Sequence, residues 1–524
     1  MDMFDKPMGG TELMYNELMR RLPDSYREHF SIFNYISQAD FSKITIYWNQ
    51  LSHDQEAVQF LKDSEYIDKI DHFVFVSHWQ AEQYRKHFNI PGYKTHVLKN
   101  ACLGTEMRKP KNDSKIRLCY TSTPWRGLDV LLKAWEILQP TDCELHVFSS
   151  CKIYGTDFAR HDSDYEHLYN KCRTLPGIIY RGSIPNEELR AELPTFDVLA
   201  YPCTFEETSC IAVIEALCAG LRVVTSSLGA LPETTEGWAD VYSFRTDNKL
   251  HAQLFAECLA VNIERLRRKK FNNILQTQSL IYREYWNWDY RLSEWLAFLA
   301  DIIIKRKDFT VRHTWERDVF RACYIENEYK IDRFNPEDII IDLGTHVGSF
   351  SLLAYDKGSR NIHTFEVSES NYNVAVINLQ KYGINLYNTA VWRSDDDRKT
   401  INFESNIIDW NTGMGRVRDG DWKDTVEVSC TKFDDVLSKF DKVRFLKMDI
   451  EGSEYPILYT SKQLHKIDEI VGEFHEVDGT YIDGYKLDRY GLKRFLEDNG
   501  FVITKLEGSP WSEHCGLFRA IRKQ

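Results

Sequence analysis

No stretch of this chain is apolar for the ~18 residues that a membrane-spanning helix needs. The best run, residues 295–304, is short and broken by Asp301. None of the twelve cysteines forms a C-x-x-C pair, which removes the commonest zinc and redox motifs. They lie scattered through apolar stretches, as at Cys119, Cys210, Cys218 and Cys258, and read as reduced, buried thiols rather than a disulfide frame. Basic charge is not in excess: 79 acidic side chains face 66 basic ones, a net charge of −13. That balance excludes the basic footprint of a nucleic-acid binder. Residues 1–12 hold no apolar core of a secretory leader, so the expected location is cytoplasmic. No fixed-period repeat and no low-complexity tract is present.

What is there is a long globular chain. Its 524 residues, 43% hydrophobic and 28% charged, exceed one ordinary core and imply two or three domains. From residue 115 a short apolar run alternates with a longer helical pattern. The runs are KIRLCYTS (115–122), CELHVFSS (143–150), GIIYRGS (177–183), FDVLAYP (196–202) and RVVTSS (222–227), with helical GLDVLLKAWEIL and SCIAVIEALCAG between them. Such alternation means βαβ units and a parallel sheet. Residues 1–110 carry a sparser version: a helix after Gly9 and Gly10, then KITIYW (43–48) and HFVFVS (72–77), with no apolar strand before the glycines. Aromatic-rich helices follow over 271–304, read as core packing. The charged stretch 305–317 is the expected linker. A third α/β pattern over 318–524 ends in FVITKL and GLFRAIR, read as an antiparallel pair.

The third pattern opens with an apolar strand running into Asp342-x-Gly344-x-x-x-Gly348, then a helix. Glycines there let the backbone turn sharply and approach a cofactor closely. Glu366 ends the next strand, NIHTFE, 24 positions after Asp342, where a carboxylate can accept from both hydroxyls of a ribose. Asp449 closes FLKMD, with Glu451 and Glu454 just after it; Glu473 and His475 lie on EIVGEFHE (469–476). Strand ends of this kind are where open α/β sheets bind ligands. For transfer to an alcohol the candidate bases are His475 and Asp449. The plainer alternatives are a His475 paired with Glu473 or Glu476, and an Asp449 that caps the following helix. The carboxylate spacing is unspecific and no metal is predicted.

Across roughly 312–524 the chain resembles the FkbM family of methyltransferases, on IDLGTHVGSFSL, TFEVSESNYNVAVINL and FLKMDIEGSEYPIL. The resemblance implies S-adenosylmethionine as cofactor, with Asp342, Gly344 and Gly348 around its methionine end and Glu366 on its ribose.

Residues 205–233, FEETSCIAVIEALCAGLRVVTSSLGALPE, place Glu207 before a helix and Glu215 two turns along it. As isolated residues they read as a helix N-terminal acid and an edge-of-core residue. With MGGTE (8–12), FVFVSHWQ (73–80) and HVLKNA (96–101), residues 1–300 resemble retaining glycosyltransferases of the GT-B type that share an E-x7-E motif. The resemblance implies a nucleotide-sugar donor: Glu207 on the sugar, Glu215 on the nucleotide ribose, Gly9 and Gly10 facing it. Backbone N–H groups at Thr208 and Ser209 would face the diphosphate, which a helix start favours. Arg126 would neutralise the departing charge. The chain departs from the family at Ser122 and Thr123, where a second cation is usual, at Asn49, where a histidine is frequent, and after Glu207, where a glycine is.

The expected fold is therefore α/β with three Rossmann-like domains: a GT-B pair, its first member reduced (1–110, then 111–304), and after the 305–317 linker a class I methyltransferase domain (318–524). The expected function is bifunctional glycan biosynthesis, sugar transfer to a glycan or glycolipid acceptor and O-methylation of a sugar hydroxyl. The contrasting expectation keeps the methyltransferase and makes the first half a non-catalytic glycan-binding module.

Overall fold

The computed structural model describes residues 9–108, 115–268, 272–404, 415–418, 425–477, 479–509 and 512–523. Residues 1–8, where the sequence predicts no strand, lie outside these. The chain divides into two compact units, 1–296 and 297–524.

The first unit holds two parallel sheets. Strands β1 (Phe30–Phe33), β2 (Ile44–Asn49), β3 (His72–Phe75) and β4 (Thr95–Val97) pair in the order β1-β2-β3-β4. Every residue of β1 and β2 is buried, as expected of parallel strands covered on both faces. The helix Gly10–Arg21 precedes β1. The second sheet holds β5 (Ile116–Thr121), β6 (Cys143–Phe148), β7 (Ile178–Tyr180), β8 (Val198–Tyr201), β9 (Arg222–Ser226) and β10 (Asp240–Tyr242), in the order β10-β9-β8-β5-β6-β7. β5 to β9 coincide with the five runs read from sequence. β1, β4 and β10 are too short to stand out by pattern. Trp286, Trp288 and Trp295 are buried, and Trp295 packs edge-on against Trp48 of β2 at 5.0 Å between ring centroids. The aromatic helices are thus core.

In the second unit the main sheet runs through β11 (Ile339–Leu343), β12 (Asn361–Phe365) and β13 (Asn385–Tyr387). A side sheet, β14 (Ala390–Trp392), β15 (Thr400–Glu404), β16 (Arg416–Arg418) and β17 (Val426–Lys432), interrupts it. The main sheet resumes with β18 (Phe445–Met448) and β19 (Glu469–His475). After a small ladder of β20 (Tyr481–Ile482) and β21 (Tyr485–Lys486), it closes with β22 (Phe501–Ser509) and β23 (Ser512–Arg522). Its order is β13-β12-β11-β18-β19-β23-β22, parallel up to β19, with β23 antiparallel to both neighbours.

In each of the two larger sheets the strand order reverses once, between β5 and β8 and between β11 and β18. A crevice opens beyond the carboxyl ends of such a strand pair. Those two places receive several of the residues singled out above, Glu207 and Arg126 at the first and Glu366 and Asp449 at the second.

Leu446 lies fully buried on β18, at the centre of the main sheet. Leu446→Ala is expected to cost the C-terminal unit about 2–5 kcal/mol, measured by urea unfolding. A loss below about 1 kcal/mol would contradict a central, close-packed β18.

Candidate functional site

Gly344, directly after β11, has φ +77°, and a Cβ there would stand 1.9 Å from the carbonyl oxygen of Asp449, directly after β18. Only glycine permits that approach. Gly348, φ +99°, opens the helix Ser349–Asp356 and packs against Leu379, 2.8 Å from a notional Cβ. Between the two turns a cavity of about 590 Å³ opens, lined among others by Gly344, His346, Glu366, Asp449, Glu451 and Glu473. His346 and Glu451 both adopt left-handed backbone, φ 54° and 53°, a mild strain that clusters at functional sites.

Asp342 is fully buried behind the glycine turn rather than in the cavity. The hydroxyls of Thr345 and Ser351 each donate to its Oδ2 at 2.7 Å, and Lys447 Nζ stands 3.3 Å from Oδ1. Lys447, itself buried, donates to the Gly344 carbonyl at 2.6 Å and lies 3.9 Å from Asp449. Burial works against its charge, but Asp342 and Asp449 outweigh this and raise it. Asp342 thus holds the turn in place through Lys447 and two hydroxyls. A lysine inside an apolar strand, FLKMD, was the sequence signal for this network.

Glu366 ends β12 and faces the cavity. It accepts from the backbone N–H of His346 at 2.8 Å and of Ser368 at 2.9 Å. Burial nevertheless pushes its carboxyl up to about 7. Each oxygen keeps a lone pair for a donor from the cavity side.

Beside Asp449 the acids crowd. Burial raises Glu451 to about 7, and burial with the Asp449 charge raises Glu473. Tyr329 donates to Asp449 Oδ2 at 3.4 Å. The helix Glu454–Tyr459 has no side-chain cap, so Asp449 does not serve as one. His475 Nδ1 lies 3.2 Å from Glu454 Oε1 and its Nε2 3.5 Å from Glu451 Oε2. Its partners are therefore Glu454 and Glu451, not the Glu473 or Glu476 expected from adjacency. Burial alone would lower this imidazole, but the Glu454 and Glu451 carboxylates outweigh it and raise His475 to about 10. Glu454, fully buried, is fixed by the N–H groups of Ile450 and Gly452. Asp449, Glu451 and His475 bring one ligand atom each within 4.8 Å of one another, a spacing a cation could bridge.

The crevice between β5 and β8 repeats the glycine device. Gly127, φ +115°, would place a Cβ 2.1 Å from the Pro202 carbonyl oxygen. Arg126 Nη1 meets Glu207 Oε1 at 2.7 Å, and the Tyr201 hydroxyl donates to the same oxygen at 2.5 Å. Arg126 also donates to the Tyr154 hydroxyl at 3.3 Å and lies 4.4 Å over the Phe205 ring. Thr208 donates to the Gln50 carbonyl at 2.8 Å, just beyond β2. Ser209 is half-buried before the helix Ile211–Cys218. Gly9 lies against Tyr154 and Gly10 against Ile211, each 2.9 Å from a notional Cβ. The structure thus gathers Gly9, Gly10, Arg126 and Glu207 around Tyr154 and the start of that helix. Glu215 stands apart along the helix, 3.8 Å from Arg190, and burial raises it to about 7. Asn49 is buried and accepts from the Leu51 N–H at 2.9 Å. Tyr154 and Tyr201 carried no motif and were not legible as site residues.

Each unit contains a segment that matches a transferase family model. Residues 342–515 match the model of the methyltransferase FkbM domain, and residues 116–261 that of the glycosyl transferases group 1. The chain carries an FkbM methyltransferase domain behind a group 1 glycosyltransferase domain. No curated protein matches it. Among solved structures, a glycosyltransferase from Rickettsia africae ESF-5 is similar at 13% identity, covering 56% of this chain and 82% of its own, with a TM-score of 0.42. Anabaena Alr3699/HepE in complex with UDP is similar at 13% identity, over 57% of this chain and 85% of its own, TM-score 0.42. The pneumococcal O-GlcNAc transferase GtfA in complex with UDP and GlcNAc is similar at 14% identity, over 56% and 60%, TM-score 0.38. Among the described residues no helix is long and apolar enough to cross a membrane.

His475 is raised above the ~6.5 of a free histidine. The stabilisation from its carboxylate neighbours is therefore complete below that value and lost as pH rises through about 10. Glu366 and Glu451, raised from the ordinary carboxyl range to about 7, act in the same direction at lower pH. The C-terminal unit should thus lose stability steadily as pH climbs from mildly acid to 10, followed by denaturant titration. Glu454→Gln should bring the imidazole titration down, read by NMR. A wild-type His475 titrating at its ordinary value would refute the pairing.

Proposed function

We propose that the C-terminal unit transfers a methyl group from S-adenosylmethionine to a hydroxyl of a sugar, and that the N-terminal unit transfers a sugar, with retention, from a nucleotide donor to a glycan or glycolipid. The observation that carries the first half is the Gly344 turn, packed so closely on the Asp449 carbonyl that no side chain can stand between the backbone and the cavity, next to a buried carboxylate, Glu366, with free acceptor capacity. Those residues fit the cofactor: Glu366 would hold its ribose hydroxyls and the Gly344 turn its methionine end. When bound it supplies an electrophilic methyl on a sulfonium. The chain's own part is alignment and proton removal. Glu451, raised to about 7, is matched to accept the hydroxyl proton at neutral pH as that oxygen takes the methyl group. His475, charged at that pH, holds Glu451 in place, and Asp449 with Tyr329 orients the acceptor.

In the N-terminal unit Arg126 and the start of the helix Ile211–Cys218 would receive the diphosphate, Glu207 the donor sugar and Glu215 the ribose. One observation favours a second reading for this half: Arg126 and Glu207 already neutralise one another. On that reading it holds a glycan without turnover. Either way, covalent linkage keeps what one site holds or makes at high effective concentration for the other.

The test is a thermal-shift panel of uridine, guanosine and thymidine diphosphate sugars with S-adenosylhomocysteine, on wild type and Glu215→Ala. A ligand at a hundred times its Kd adds about 2.7 kcal/mol. S-adenosylhomocysteine should stabilise both proteins, and one nucleotide sugar the wild type alone. Silence toward every nucleotide sugar supports the holding module. Silence toward S-adenosylhomocysteine removes the methyltransferase reading.

Glu451→Gln should reduce methyl transfer by about 100-fold or more while S-adenosylhomocysteine affinity stays within about twofold, measured by single-turnover kinetics and calorimetry. Near-wild-type turnover would exclude Glu451 as the base.

A further inference from the structure

The helix Thr314–Phe320 and the turn Arg321–Ile325 that continues it lie before residue 342, where the methyltransferase family match begins. Yet Trp315, Asp318, Val319 and Ala322 all line the cavity. Spaced i, i+3, i+4 and i+7, they form one helical face. The residues that turn away, Glu316 and Phe320, are fully buried. Trp315 is 39% exposed and has no ring partner among the described residues. An indole that lines a cavity without packing on another ring offers a flat face on which a planar group can stack.

The part of the ligand follows from where the helix is pinned. Arg312 pairs with Glu316 and donates to Asn371 Oδ1 at 2.6 Å and to Ser370. Those residues sit in the segment that starts at Glu366, whose Oε1 closes onto the Ser368 N–H. Val367 and Asn371 also line the cavity. Glu316, next to Trp315, also lies within electrostatic range of His346, whose N–H donates to Glu366. Trp315 stands at this pinned start of the strap, tied to the segment that follows the ribose carboxylate. What lies next to a ribose in an S-adenosyl group, on the side away from the sulfonium, is the purine.

We infer that this helix is an adenine-binding strap: Trp315 stacks on the purine of the cofactor, with Arg312 as the positioning residue that clamps the strap to the Ser370–Asn371 turn. The assignment rests on the methyltransferase reading of the same cavity and adds a recognition element outside the family-matched segment.

The test is calorimetric binding of S-adenosylhomocysteine and of adenosine to the full chain, as wild type, Trp315→Leu and Trp315→Phe. Base–aromatic stacking of ordinary strength makes Trp315→Leu about tenfold weaker for both ligands, and Trp315→Phe should recover most of the loss. Because Trp315 lies outside the core, the variants should melt with the wild type. Affinity of Trp315→Leu within about twofold of wild type for both ligands overturns the strap. So does a loss for S-adenosylhomocysteine without one for adenosine, which would put the indole on the methionine half. A wild type that binds neither ligand overturns the methyltransferase reading and the strap together.

Discussion

The structure depends on one steric constraint, met twice: the chain must turn at the carboxyl end of a central strand while touching the backbone leaving the strand beside it. After β5 the contact is Gly127 on Pro202; after β11 it is Gly344 on Asp449. In each case a Cβ would lie about 2 Å from a carbonyl oxygen, far inside any tolerable contact, so no other residue can stand there without moving a central strand. Because the strand order reverses at the same two places, the helices on either side diverge and leave a crevice. The glycine turn and the crevice are one feature seen from the backbone and from the ligand side. Residues that follow each glycine, and those that follow the neighbouring strand, are delivered to the crevice whatever their chemistry.

That chemistry differs between the two. At the first crevice, a cation and a carboxylate meet: Arg126 and Glu207 pair at 2.7 Å, with Tyr201 and Tyr154 completing the hydrogen bonds. At the second, negative charge accumulates. Glu366, Asp449, Glu451 and Glu473 line one cavity, and burial pushes several of these acids toward their neutral forms. Two cations behind the cavity wall hold it together. Lys447 joins Asp342 to Asp449, and the His475 imidazolium joins Glu454 to Glu451. Removing either cation would leave buried carboxylates uncompensated, which is far costlier than the pair is stabilising.

The sequence made the scaffold legible where strands were long and bounded. The five apolar runs from residue 115 became β5 to β9, and FVITKL with GLFRAIR became β22 and β23. It was silent for β1, β4 and β10, whose three or four residues cannot show a period. Gly344, Gly348 and Glu366 of the second crevice stood out because a steric or charge demand limits each to one residue type, whereas Gly127 of the first carried no signal of its own. Partner choice was not. His475 reaches Glu454 and Glu451 across from β18 to β19, a pairing set by strand register rather than by nearness along the chain. Tyr154, Tyr201 and Trp315 were invisible for a related reason: aromatics are common in cores, and only the surroundings separate a packed ring from an exposed one.

The contrast between the two crevices also bears on what each asks of a ligand. A polar group entering the first crevice meets a carboxylate and a guanidinium that already satisfy one another, so binding there must trade one ion pair for new contacts and yields only the difference. A donor of hydrogen bonds entering the second meets carboxylates that burial holds above their ordinary range. Each hydroxyl it brings relieves a desolvation cost that the folded protein already bears. The second crevice is thus destabilised in advance for its ligand, whereas the first is stabilised against one. A single scaffold can hold both because the glycine turn fixes only where the side chains arrive, and their charges decide whether the crevice rests satisfied or waits to be filled.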